Sequence, residues 1–252
     1  MRRTLTLAAV AVAAFALADV AHETLGHGGM CAALGGRIVY VSTTFEDCSI
    51  RSWVIDGAGP SAGIAAALLC WLWLSMAPPR GVASRAFLLL GFAFAAFWNF
   101  GYLVKSGLTD QGDWAFVIEG LKPAPLWHAA ITVAGIALYW ASLRLLAAMM
   151  RQHLGSEDTT DLPPLTFSLI AYGAAAAIAC AGAWFDPRGP ATILGDALPS
   201  SLGAIGLPLA GALLARTAPS LRLALPVSPV WIAAGTIAGI AFVALLGPGL
   251  HI

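Results

Sequence analysis

The sequence predicts an all-α polytopic membrane protein of about seven transmembrane helices, with a short β-hairpin after the first. Three observations carry that reading. Hydrophobic residues make up 59% of the 252 and charged residues only 10%, against about 25% charged in a soluble domain. Mean hydropathy is +0.82. Runs of roughly 18 or more mostly apolar residues recur along the chain, each long enough to cross a bilayer. The formal net charge is zero, with no basic block, so nothing points to nucleic acid and the lipid bilayer is the expected surrounding.

The elements follow in order. "MRR" and "TLTLAAVAVAAFALA" have the shape of a secretory signal, and Ala16-Leu17-Ala18 resembles a cleavage site. The apolar pattern continues past Asp19, which predicts one uncleaved helix over residues 4–30. "RIVYVSTTF" and "CSIRSWVI" are β-branched and aromatic-rich and read as a hairpin within 37–56. Further helices are expected at 59–77, stopped by Pro78-Pro79, and at 85–104. A polar segment, "KSGLTDQGDW", precedes a fourth at 125–150. Three more are expected at 165–185, 198–215 and 228–248, with Pro208 kinking the sixth. The abundance of Gly and Ala suits close packing of membrane helices.

With the N-terminus inside, Arg2, Arg3, Arg80, Arg85, Arg144, Arg151, Arg216 and Arg222 fall on the cytoplasmic side. Arg37, Arg51, Lys105, Lys122 and Arg188 fall outside. Cys70 and Cys180 lie in apolar runs, where a small buried hydrophobe is the ordinary role. Cys31 and Cys48 flank the polar hairpin and can pair only if it faces an oxidising compartment.

One motif carries chemistry. A zinc-protease helix reads H-E-x-x-H, with histidines four apart. Here His22-Glu23-Thr24-Leu25-Gly26-His27 places them five apart. On a regular helix that spacing leaves the side chains ~140° apart, too far to share an ion. A single π-bulge absorbs the extra residue and restores a common face, and Gly26 offers the least steric resistance to it. A glutamate and two histidines at membrane depth are a functional expectation. In that reading His22 and His27 bind Zn2+, Glu23 is the general base, and Asp19, one turn earlier, orients His22. A third ligand must come from the same membrane level. The segment after helix 3 supplies Asp110 and Asp113. Asp113 is preferred because it follows the flexible Gly112 and opens a short apolar stretch. His128 is the other alternative. Gly59-Pro60-Ser61-Ala62-Gly63 spells G-x-S-x-G, but it opens a membrane helix rather than a strand–turn–helix, so close packing through small residues explains it better.

The spacing resembles the H-E-x-x-G-H zinc motif of the dipeptidyl-peptidase III family, over these six residues alone. Across about residues 8–120 the order of motifs resembles the site-2 protease family of intramembrane zinc metallopeptidases. "CAALGGRIVYVSTTF" looks like that family's turn into a sheet, "AGPSAGIAAALL" like its A-G-P-l-x-N helix start, and "FWNFGYLVKSGLTDQGDW" like its aspartate segment. Asn99 then matches the family's asparagine, and Asp113 or Asp110 its metal ligand. The histidine spacing, the missing Asn in the second motif and the absence of Pro after Asn99 depart from the pattern. The resemblance implies a metalloprotease-like core at 1–122, comprising helices 1–3, the hairpin at 37–56 and the aspartate segment at 105–114, with additional helices at 123–252. It also implies a zinc-dependent endopeptidase acting on a membrane-anchored polypeptide, in the inner (cytoplasmic) membrane of a bacterium, with the hairpin edge holding extended substrate. An ion-binding transporter or a catalytically inactive metal-binding relative is the alternative, and the retained Glu23 speaks against the inactive one. The family resemblance places the site on the cytosolic side, whereas the arginine count places it outside.

Overall fold

The structure, a computed structural model, describes residues 2–251 and has seven helices long and apolar enough to cross a membrane. They are Arg2–Ala33, Trp53–Met76, Val82–Thr109, Ala124–Leu154, Pro164–Trp184, Ile193–Thr217 and Pro229–Leu246, numbered here as the first to seventh spans. Exposed apolar side chains such as Leu69, Trp140, Val230 and Ile237, each at least 60% exposed, ring the outside. In a soluble protein so many would mark an interaction surface; here they face the apolar surrounding that the composition predicts.

The third span is central. Leu89, Leu90, Phe94 and Phe97 are buried, and Phe15 of the first span meets Phe94 edge-to-face at 5.8 Å. Glycines let backbones touch, as membrane packing favours: a side chain at Gly235 of the seventh span would strike the Ala9 backbone of the first. The buried core draws on all seven spans without a break, from both sides of residue 122.

Several ends differ from expectation. The hairpin is shorter: β1 (Ile38–Val41) pairs antiparallel with β2 (Glu46–Cys48), and Trp53 to Asp56, expected in the hairpin, already belong to the second span. Ser52 explains this, because its hydroxyl accepts the Val54 N–H at 3.2 Å and caps the helix. Lys105–Thr109 continues the third span instead of forming loop, and the helix closes at Asp110 in the left-handed region, φ 54°. The sixth span is interrupted where a kink was expected: Leu198–Gly203 and Gly206–Thr217 are separate helical pieces, broken just before Pro208. Pro208 has no N–H to bond to Ala204, so the ladder opens there.

The chain's two ends carry opposite charge. The end with the hairpin and the short helix Asp113–Ile118 holds five Lys and Arg against ten Asp and Glu, counting Asp19 and Glu23, a net of −5. The opposite end holds eight Arg against Glu157, Asp158 and Asp161, a net of +5. A small sheet closes that opposite end, β3 (Gly155–Ser156) on β4 (Arg222–Leu223), with Arg3 paired to Asp161 at 2.8 Å.

Candidate metal centre

The first span is regular to Val20 and then widens into a π-helix over Ala21–Gly28. This is the distortion the five-residue spacing requires, and it brings both imidazoles to one side. His22 Nε2 and His27 Nε2 lie 3.3 Å apart. Gly26 serves packing more than backbone freedom. A Cβ there would sit 2.5 Å from Gly59 Cα and 2.8 Å from the Ala58 carbonyl oxygen, so the widened turn can press against the second span only without a side chain.

Asp113 completes the group. Its Oδ2 stands 3.1 Å from His22 Nε2 and 3.3 Å from His27 Nε2. The other nitrogens are committed elsewhere. His27 Nδ1 donates to the Ile55 carbonyl oxygen at 2.8 Å. His22 Nδ1 donates to Asn99 Oδ1 at 3.3 Å, and Asn99 is itself fixed by donating from Nδ2 to the Ala95 carbonyl oxygen at 2.7 Å. With both Nδ1 atoms protonated toward oxygens, a neutral imidazole presents a bare lone pair at Nε2.

Two lone pairs and a carboxylate oxygen therefore converge on one point. They repel one another unless a proton or a cation lies between them. The three atoms lie 3.1 to 3.3 Å from one another, close enough to touch one small cation together. The donor set, two imidazoles and a carboxylate with a cavity on the open side, could hold a metal ion and leave it a free position.

Neighbours fix the geometry. Trp98 stacks on the His22 ring, with centroids 4.7 Å apart. The Tyr102 hydroxyl accepts the Asp113 N–H at 3.3 Å and faces Asp113 Oδ1 at 3.5 Å. Gly112 (φ 91°) gives the turn before Asp113, and a side chain there would run into the Tyr102 ring. Gly59 and Gly63, the two glycines of the G-x-S-x-G stretch, lie under His27 and Asn99 respectively. A Cβ at either would collide with that side chain.

Glu23 is 6% exposed, lines the cavity and has no hydrogen-bond partner among the described residues. Asp19 is also buried, but it does not orient His22, as the sequence reading had it. The His22 Nδ1 is taken by Asn99, and Asp19 Oδ1 has no partner among the described residues. The helix widens from Ala21 onward, so the three-residue step that would align Asp19 with His22 on a regular helix does not hold. Asp110 and His128 stand apart from the histidines: Asp110 Oδ1 meets His128 Nε2 at 3.5 Å, with the Asp110 side chain 77% exposed.

The cavity, about 450 Å³, is walled by the hairpin turn Thr43–Glu46 on one side and by Asp196, Pro199 and Ser200 of the sixth span on another. Residues beyond the fifth span brace that turn. Asp186 accepts from the Ser42 and Thr44 hydroxyls at 3.0 and 3.1 Å, and Arg188 bonds both Asp186 and Thr44. Burial opposes the Asp186 charge, but Arg188 overcomes it and keeps the carboxyl below its ordinary value. Sequence reasoning missed this brace, because "DPR" in a loop carries no motif. The outer edge of β1 is occupied at Val41, which exchanges two backbone hydrogen bonds with Leu250, so that edge is closed to a substrate strand at this point.

A second donor group lies nearby: Cys31, Glu46 and Cys48. Its sulfurs are joined in a disulfide, with Cα atoms 5.9 Å apart, inside the range such a bond requires. Burial pushes the half-buried Glu46 carboxyl up to about 7.

No family model, no curated protein and no solved structure matches this chain.

Proposed function

We propose that the chain is an intramembrane zinc metalloprotease that hydrolyses a membrane-anchored polypeptide. The observation that supports this most directly is the convergence of His22 Nε2, His27 Nε2 and Asp113 Oδ2 within 3.3 Å of one another, beside the buried Glu23, which has no hydrogen-bond partner among the described residues. His22, His27 and Asp113 would hold the ion. A bound zinc would supply an acidified water and polarise the carbonyl of the scissile bond.

The rest of the chemistry belongs to the chain. A Glu23 carboxylate oxygen takes a proton from the attacking water and passes it to the departing amine nitrogen, so one water is consumed per bond cut. Asn99 and the Ile55 carbonyl hold the two imidazoles in the ligating tautomer. Tyr102 holds Asp113. An extended segment has the Thr43–Glu46 wall to lie along, since β1 is already paired at Val41.

The test compares membrane proteomes of cells carrying the wild-type chain and Glu23→Gln, with the zinc content of each purified protein. The amide keeps the size of the side chain but cannot take the proton, so hydrolysis should fall by about 10²–10⁴-fold or more while zinc stays bound. A membrane polypeptide should then accumulate uncleaved. If none accumulates under any growth or stress condition and the variant complements fully, the protease reading is to be abandoned for a structural metal site.

A further inference from the structure

We infer that the metal cavity opens to the oxidising side of the membrane, so that the segment it receives is the outer juxtamembrane stretch of an anchored polypeptide. The substrate part rests on the protease reading; the orientation stands without it.

Two independent features place the cavity. The first is the disulfide. Cys31 lies one turn beyond His27 and Cys48 lies in β2, two residues past the cavity residue Glu46, so the bridge sits at the cavity end of the molecule. Disulfides persist in oxidising compartments and are rare in reducing ones. The sulfurs are closely fitted: a Cβ at Gly36 would lie 2.6 Å from Cys48 Sγ and 2.9 Å from Cys31 Sγ. The other two cysteines, Cys70 and Cys180, lie within spans, so no thiol stands at the arginine-rich end.

The second is the distribution of Lys and Arg. The arginine-rich end holds eight and the cavity end five, and the cytoplasmic side carries the excess. That count uses none of the residues that form the disulfide.

Depth agrees with an outward opening. His22 stands ~30 Å along the helix from Arg2, at 1.5 Å per residue, and the hydrocarbon core is ~30 Å thick. The histidines thus sit near the interface opposite the arginine end, within reach of a polypeptide stretch just leaving the bilayer on that side.

The experiment uses the full chain in sealed right-side-out vesicles. Glu119→Cys, in the exposed turn beside the Asp113 helix, and Glu157→Cys, at the opposite end, are each made with Cys70 and Cys180 replaced by Ala. A membrane-impermeant maleimide should label Glu119→Cys before lysis and Glu157→Cys only after it. The reverse pattern, or equal labelling of both, overturns the orientation. The unaltered chain serves where a variant does not fold: denatured without reductant it should take two maleimide mass tags, and with reductant four. Four tags without reductant would remove the oxidising compartment from the argument and overturn the inference. Neither readout depends on hydrolysis. Reversed labelling leaves the zinc protease standing, and a fully active Glu23→Gln variant leaves the orientation standing.

Discussion

Two groups of three donors lie within one helical turn of each other in this molecule, and they differ in kind. His22, His27 and Asp113 offer ligand atoms within 4.8 Å of one another, and so do Cys31, Glu46 and Cys48. In the first, each imidazole has its far nitrogen tied to an oxygen, so the near nitrogens are left free for a shared partner. In the second, the two strongest donors have bonded to each other and have no thiolate to give. Proximity of donors therefore decides little; what decides is which atom each neighbour leaves free, and the redox state of the side of the membrane they face.

The largest way to break that comparison is to remove a donor from each group. His22→Ala or Asp113→Ala should lose bound zinc entirely, whereas Glu46→Ala should keep it, read as metal per chain in the purified protein. Zinc lost on Glu46→Ala as well would mean that the second group takes part in the first. A smaller effect is expected one bond further out. Asn99→Ala leaves His22 Nδ1 without its acceptor and should weaken zinc binding about 10–100-fold, measured by competition with a chelator. Unchanged affinity would show that Trp98 stacking alone holds the ring.

Next comes the covalent tie. Cys31 and Cys48 are 17 residues apart, and closing a loop of that length stabilises by about 3 kcal/mol in the chain-entropy picture. Cys31→Ser with Cys48→Ser should lower thermal stability by that order while zinc content stays at the wild-type level. The smallest effect concerns Glu46. Burial raises its carboxyl to about 7, above the unfolded value, so the neutral form suits the folded state and stability is lost as pH rises through that range. Glu46→Gln should therefore gain stability at pH 8 relative to the parent and show no gain at pH 4. Equal midpoints at both pH values would mean that the folded chain does not penalise the charge.

The spans were legible because apolar runs of this length have one physical use. Their ends were less so, since Ser52 caps a helix that the hairpin pattern had claimed and Asp110 ends one that polarity had cut short at Val104. At the site, the spacing of His22 and His27 foretold the widened turn, and of Asp113, Asp110 and His128 it is Asp113 that stands beside the two histidines. The supporting shell was not readable. Ile55 acts through its carbonyl oxygen, and Gly59 and Gly63 act by lacking a side chain. No pattern of residue types records either. Asp19 would align with His22 only on a regular helix, and the segment from Ala21 onward is widened.

The opposed formal charges of the two ends, +5 and −5, make the molecule an electric dipole directed along its spans. In the orientation inferred above, its positive pole lies on the side that a resting potential makes negative. Moving one charge across 100 mV is worth ~2.3 kcal/mol, so the field and the arginine bias pull the same way and an inverted molecule is disfavoured twice. A divalent ion held by His22, His27 and Asp113 would offset two of the formal charges at the cavity end. Loading the site would therefore change the dipole, and an apo chain should feel the membrane voltage more strongly than a loaded one.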